Sequence, residues 1–501
     1  MFRVAINIER IPDLSEQYDT MTEAFLDDLL LDRAARETLA AQLAGELRKI
    51  IVAGTLSAGS KLPSSRVLSK QLSVGRNVVT EAYDALISEG LVDSIHGAGS
   101  FVAEGSNSTA SNPRRHPRSV FSEATRVLLQ RADAWALPDP HLALTPGIPA
   151  LDEFPTDQWS RCLSKALRTR PSDYVLDTDT RGLLALREAI AAHVGPARGI
   201  SCHPEQIIVL SSARQAFEIV TRLFSDPGDT VLVENPGFVE AREIALALGR
   251  RIQPCPVDTT GIQLPQGEGS AKLAFLTPTH QYPTGQKMPP KRMLEVIKEC
   301  RDNSVIIVED DYDGEFHHYG KPSRALAAQD ELVSAIHIGT FSKSMFPGLR
   351  LAYVIVPYDC APAFGQMRGL LDGQPSTVLQ AGMAEFIRSG NYARHLRRMR
   401  KLYAARKAAL LETVQHFASD VLDPISSNSG LHLCFRASQQ IDDTAVVRSL
   451  RQSKIGATAL SGYHVERINA DHGLVLGFGN TSEKTYAKHI TTIANALKVA
   501  L

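Results

Sequence analysis

Five short apolar runs, QIIVL (206–210), DTVLVE (229–234), KLAFLTP (272–278), SVIIVED (304–310) and SAIHIG (334–339), recur beyond residue 200, separated by segments of helical periodicity. Continuous apolar runs of this length suit strands that are covered on both faces. Their alternation with helices predicts an α/β sandwich around a mostly parallel sheet, occupying residues 141–501. With 501 residues, 44% of them hydrophobic, the chain exceeds one ordinary core, so a further unit is expected ahead of that sheet.

That unit is legible in residues 36–104. LAAQLAGELRKII puts Leu39, Leu43, Leu47 and Ile50 on one helical face, and Gly54 supplies a stop. A second helix follows in AGSKLPSSRVLSKQLSV, with Ser64 and Ser65 as candidate caps and Val67, Leu68 and Leu72 on one face. Gly75 breaks the pattern before NVVTEAYDALISEG, which ends at Gly90. Two helices joined by a tight turn make a helix-turn-helix, and LVDSIHGAGSFVAE then reads as a hairpin turning at His96-Gly97-Ala98-Gly99. Residues 1–35, with Phe25, Leu26, Leu29 and Leu30 at helical spacing, predict an accessory helix. Residues 105–140 are rich in Ser, Asn, Pro and Arg and predict a linker, in which Arg114, Arg115 and Arg118 read as solvated charges.

Lys plus Arg (54) and Asp plus Glu (55) nearly cancel, so any nucleic-acid contact must come from a local patch. Cys162, Cys202, Cys255, Cys300, Cys360 and Cys434 are scattered without metal or redox spacing, and read as free thiols. No apolar stretch approaches a membrane span, and charges occupy the start where a signal peptide is apolar, so a cytoplasmic location with no membrane partner is expected.

The second helix of a helix-turn-helix enters the major groove with its first turn. Here that turn carries Arg76, suited to a bidentate contact with guanine, and Asn77, a donor and an acceptor together. Arg66 sits where the preceding helix meets the backbone, and His96 and Gly97 form the wing tip. The run GTLSAGSKLPSSRVLSKQLSVGRNVVTEAYDALISEGLV as a whole closely resembles the GntR-type winged helix. The resemblance implies contact with double-stranded DNA by Arg66, Arg76, Asn77, Thr80, His96 and Gly97. Gly75 departs from it, since members often carry Ser or Thr there.

The larger region offers what pyridoxal phosphate (PLP) requires: a lysine, an acid for the pyridine nitrogen, an aromatic face and phosphate donors. In AIHIGTFSKSMFPGLRLAYVIVP, Lys343 lies between two apolar strands, with Thr340, Ser342 and Arg350 near enough in sequence to receive a phosphate. SVIIVEDDYDGEF delivers Asp310, Asp311 and Tyr312 at the carboxyl end of a strand, where open α/β sheets bind ligands. An acidic cluster also suits a divalent metal, but no nucleotide loop or His partner accompanies it at useful spacing, and no metal is expected. EDDYDGEF, TPTHQYPTG and GTFSKSMFPGLR, following the winged helix, resemble the MocR family: a GntR-type reader fused to a fold-type-I, aminotransferase-like three-layer α/β/α domain.

By that resemblance Lys343 is the Schiff-base lysine, Asp310 the pyridinium partner, Tyr312 the ring-oxygen donor, Phe238 the stacking ring and Arg350 a phosphate ligand. The turn Ser211-Ser212-Ala213-Arg214 presents amides to the phosphate. Tyr282 stands where aminotransferases usually have asparagine, with His280 or Gln281 as its replacement, and Val475 where an arginine commonly grips the substrate carboxylate. Ser212 and Ala213 replace the glycine and hydroxyl residue often seen in the phosphate turn, and Glu240 reads first as a solvated helix residue and second, if it faces the site, as a group favouring a cationic ligand. These departures weigh against net catalysis. The expected protein is a PLP-dependent transcription regulator, a head-to-tail homodimer that senses PLP or an amino compound. The rival readings are a working aminotransferase with an attached reader, and a reader whose large domain only dimerises.

Overall fold

A computed structural model describes residues 31–35, 37–104, 121, 122, 125, 126, 129, 139–169, 179–265, 271–318, 323–425, 429–466 and 470–500. Most of the expected accessory helix and linker, including Arg114, Arg115 and Arg118, falls outside these residues. The chain divides into two compact units, Met1–Val120 and Phe121–Leu501.

In the first unit, helices Leu39–Val52, Ser65–Gln71 and Arg76–Ser88 precede an antiparallel hairpin of β1 (Val92–Ile95) and β2 (Gly99–Val102). Thr38 and Ser64 cap the first two helices through their hydroxyls, whereas Gly75 opens the third with no side-chain cap. Leu43, Leu47, Ile51, Leu68, Val79, Leu86, Val92 and Val102 form its core. Two sequence expectations need correction. The buried face of the first helix runs through Ala40, Leu43, Ala44, Leu47 and Ile51, with Leu39 and Ile50 at its margins. Val67 is 49% exposed, because its neighbour Leu68 occupies the one inward position of that turn.

The second unit is built on an eight-stranded sheet ordered β3-β10-β9-β8-β7-β4-β5-β6. Its strands are β3 (Ile207–Leu210), β4 (Thr230–Asn235), β5 (Arg251–Asp258), β6 (Gly261–Ile262), β7 (Ala271–Leu276), β8 (Ile306–Asp311), β9 (Ala335–Thr340) and β10 (Ala352–Ile355). The run from β9 to β5 is parallel; β10 is antiparallel to both neighbours, and β6 to β5. Ile207 and Val209 join one core while Ile208 and Leu210 join another. Two-sided burial is the reason the strands read as unbroken apolar runs. A second, antiparallel sheet of β11 (Leu422–Pro424), β12 (His432–Ala437), β14 (Gly473–Gly477) and β13 (Thr458–Ala459), in that order, lies beyond the helix Asn391–Phe417 in sequence. All six cysteines are free, and among the described residues no helix is long and apolar enough to cross a membrane.

Candidate functional site

The carboxyl ends of the parallel strands carry the chemistry of the second unit. β8 ends in Asp310 and Asp311, whose side chains leave opposite faces of the strand as the pleat requires. Asp311 pairs with Arg198 (2.5 Å) and lies 3.8 Å from His337 Nε2, a structural pairing. Asp310 is 4% exposed, and its Oδ1 has no hydrogen-bond partner among the described residues. Burial, and then the neighbouring Asp311 and Asp313, push its carboxyl well above the usual range, while Lys343 opposes the shift.

Lys343 follows β9. Burial lowers its pKa against the pull of Glu240, Asp313 and Asp310, and its Nζ donates to the Gly147 carbonyl at 2.8 Å. A Cβ on Gly147 would lie 2.7 Å from that nitrogen, and the residue has φ +73°, so both backbone shape and close approach select glycine. Beside the lysine, Thr340 Oγ1 accepts the Ser342 amide at 3.1 Å. Tyr392 donates to Ser344 Oγ (2.9 Å) and His395 Nε2 meets the Ser344 carbonyl (2.8 Å), which fixes the loop after Lys343.

After β3, Ser212 caps the helix Ala213–Phe224 by accepting the Gln215 amide at 3.2 Å. The amides of Ala213 and Arg214 precede the first intrahelical donor, Ala216, and make an end that suits an anion. After β4, Phe238 packs against Phe217 (5.9 Å between centroids) and stands edge-on to Tyr282 (5.9 Å, 89°). Glu240 is not a solvated helix residue: its side chain is 13% exposed and pairs with Arg214 at 3.2 Å.

The aromatic wall was less legible. Tyr312 OH lies 2.8 Å from His280 Nδ1, and the same nitrogen is 3.0 Å from each oxygen of Asp313. His432 packs against His280 at 4.9 Å. Tyr282 OH meets Tyr463 OH at 3.1 Å, which in turn meets Thr458 Oγ1 at 2.8 Å. Gln281 is spent on protein partners, donating to the distant Pro236 carbonyl and the adjacent Tyr282 carbonyl and accepting from Thr284, so it has no amide to offer a ligand. Val475 is buried in a small cluster with Val239, Leu460 and Tyr463, in contact with Tyr282. Arg350 is exposed, with φ +52°, and makes no ion pair among the described residues.

These residues fit pyridoxal phosphate. The Asp310 oxygen that has no partner among the described residues suits a proton-bearing nitrogen, Lys343 donates to a carbonyl, and a helix start with adjacent hydroxyls suits a dianion. His280, Asp313 and His432 also bring candidate metal-ligand atoms within 4.8 Å of one another, from positions too far apart in sequence for a spacing motif to reveal.

In the first unit, Arg66, Arg76, Asn77, Thr80, His96 and Gly97 are all exposed. Arg76 Nε donates to Ser65 Oγ at 3.2 Å, so the preceding helix steadies the guanidinium, a role for Ser65 that its reading as a cap missed. Thr80 Oγ1 donates back to the Arg76 carbonyl at 3.1 Å, leaving the oxygen as an acceptor.

Residues 154–473 match the model of aminotransferase class I and II, and residues 39–102 that of the bacterial regulatory proteins of the gntR family. The chain is 33% identical to the probable rhizopine catabolism regulatory protein MocR of Rhizobium meliloti, over 93% of this chain and 95% of that one. It is 32% identical to the HTH-type pyridoxine biosynthesis transcriptional regulator PdxR of Corynebacterium glutamicum, over 91% and 96% respectively. Among solved structures, a kynurenine aminotransferase of Pyrococcus horikoshii aligns with a TM-score of 0.67 and 22% identity, over 77% of this chain and 98% of that one. That likeness extends to the fold.

Proposed function

The chain belongs to the MocR family, an aminotransferase class I and II domain behind a gntR-family reader, and on that footing we propose that it is a DNA-binding transcription regulator whose large domain holds PLP. The observation that carries this reading is the buried, unpartnered Asp310 oxygen, in a site where Lys343 is also desolvated. An uncompensated carboxylate is costly, and a ligand that brings a protonated nitrogen relieves it.

Lys343 would hold the cofactor covalently, Asp310 its ring nitrogen, Tyr312 its ring oxygen and Phe238 its face. The amides at Ala213 and Arg214, with Thr340 and Ser342, would take the phosphate. When bound, PLP supplies an electrophilic carbon at which an amine can be exchanged for the lysine. The chain's own residues govern which amines are accepted and whether they turn over. Val475 and the linked Tyr282 and Tyr463 make an apolar and phenolic wall with no guanidinium for a carboxylate, which disfavours turnover of α-amino acids. Signalling requires that PLP, or an amine joined to it, favour one arrangement of the readers over another. A homodimer paired head to tail would present two readers to a repeated operator.

The test is a footprint of the full chain on its own upstream DNA, with and without PLP, at one fixed salt concentration. A protected repeat whose pattern changes with PLP is expected. Absence of protection in either state, with Lys343 still modified by PLP, would replace the regulator with an enzyme.

A further inference from the structure

Tyr312, His280 and Asp313 form a buried chain whose proton positions follow from valence. His280 Nδ1 is 2.8 Å from the Tyr312 oxygen and 3.0 Å from both Asp313 oxygens. A neutral ring nitrogen carries either a proton or a lone pair. A lone pair would face an acceptor-only carboxylate on two sides. A proton on Nδ1 satisfies these three contacts, shared between the carboxylate and the phenolic oxygen. Asp313 is held as an acceptor from a second side as well, since the Leu431 amide donates to its Oδ2 at 3.2 Å. The Tyr312 oxygen therefore accepts a hydrogen bond from His280, and its own O–H is turned away from the imidazole. Stacking of His280 on Tyr312 (5.8 Å, 29°) and the packing of His432 on His280 keep the rings in register.

We propose that His280, oriented by Asp313, is a positioning residue that sets the direction and donor strength of the Tyr312 hydroxyl toward the ring oxygen of bound PLP. The inference rests on the PLP reading above. A phenol that accepts one hydrogen bond donates a stronger one. A stronger donor on the ring oxygen withdraws the negative charge that retains a proton on the nitrogen joining Lys343 to the cofactor. The pair thus lowers the pH at which that nitrogen loses its proton, a change visible in the absorption band of the bound cofactor. Asp313, Tyr282, Asp310 and Glu234 are the titratable groups around Tyr312, and His432, His318 and Lys343 stand next to the pair.

The experiment uses the full chain loaded with PLP. Borohydride reduction and mass analysis first establish whether Lys343 carries the cofactor; failure there sinks the PLP reading itself, whatever His280 does. The visible band is then titrated against pH in the wild type and in variants. Tyr312→Phe is expected to raise the midpoint by about one pH unit or more, and His280→Leu to raise it by less. His280→Asn, whose amide N–H takes the place of Nδ1–H, should return the midpoint to the wild-type value. Asp313→Asn, a near-isosteric change, tests the same link without enlarging or emptying the core: its amide would drive the proton off Nδ1 and raise the midpoint. Combined with Tyr312→Phe, His280→Leu should add nothing. An unmoved midpoint in His280→Leu and Asp313→Asn, or additive shifts in the double variant, would overturn the proposal.

Discussion

The two units carry their polar chemistry in opposite ways. In the reader, Arg66, Arg76, Asn77, Thr80, His96 and Gly97 stand exposed over a small apolar core of which they are not part. In the large domain, Asp310, Asp313, His280 and His432 are all less than 5% exposed. Exposed groups act one by one and can be removed singly at modest cost. Buried groups share partners, so taking one away leaves another unsatisfied, and effects on them do not add. The reader should therefore tolerate single substitutions that the pocket does not.

The largest effect tests that contrast directly. Lys343→Ala removes the nitrogen proposed to join PLP, and should abolish both the visible band and the borohydride-fixed mass increment. The reader's affinity for DNA in the absence of PLP should be unchanged, while its response to PLP disappears. A variant that still answers PLP would mean that covalent attachment is not what the reader senses.

Asp310→Asn comes next. Loss of a hydrogen bond to a charged group weakens PLP binding by roughly 10–100-fold, from about 1.5–3 kcal/mol. The same change should stabilise the cofactor-free protein, with a definite pH dependence. Burial raises the folded pKa of Asp310, so the protonated form is favoured in the fold and that stability is lost as pH rises from the unfolded value, near 4, through the folded one. Asparagine does not titrate. Urea unfolding without PLP should therefore show the variant more stable than wild type at pH 8, with the gap narrowing toward pH 4. A gap that widens toward acid would contradict the assignment of Asp310 as an uncompensated carboxyl.

On the reader side the expected losses are smaller. Arg76→Ala should cost roughly 1–3 kcal/mol of discrimination at one base position, measured by a binding selection at fixed salt. Ser65→Ala, which removes the hydroxyl steadying the guanidinium at 3.2 Å, should relax the same position by less. Equal relaxation at several positions would show that Arg76 reads phosphate and not a base.

How much of this was legible depended on the range of the physics involved. Strand runs, helix stops and the Ser64 cap are local, and they stand where periodicity and turn chemistry put them. The burial of Lys343 and Asp310 was readable because a charge beside apolar strand runs is anomalous. His280, Asp313 and His432 lie on three separate segments, and only the fold brings them together. Glu240 looked solvated because its partner Arg214 is 26 residues earlier, on another helix. Gln281 looked like a ligand because sequence shows an amide's identity but not that Pro236, 45 residues earlier, and its own turn consume it.

The smallest effect bears on the one place where the reader's local chemistry is incomplete. Gly75 begins the helix Arg76–Ser88 with φ −64° and ψ 142°, an extended conformation open to any residue, yet it supplies no side-chain cap. A Cβ there would meet only Val78 Cγ2, at 4.0 Å, so serine fits without displacement. Its oxygen would accept an amide of the first turn and stabilise the reader by a few tenths of a kcal/mol over glycine. Gly75→Ser would also place a hydroxyl at the helix start proposed to meet DNA, where a phosphate contact could be made. Urea unfolding and DNA affinity should both rise slightly, with sequence preference unchanged. A change in preference would mean that residue 75 lies against bases, and that the exposed face of the reader is less divisible into independent contacts than the comparison with the buried site implies.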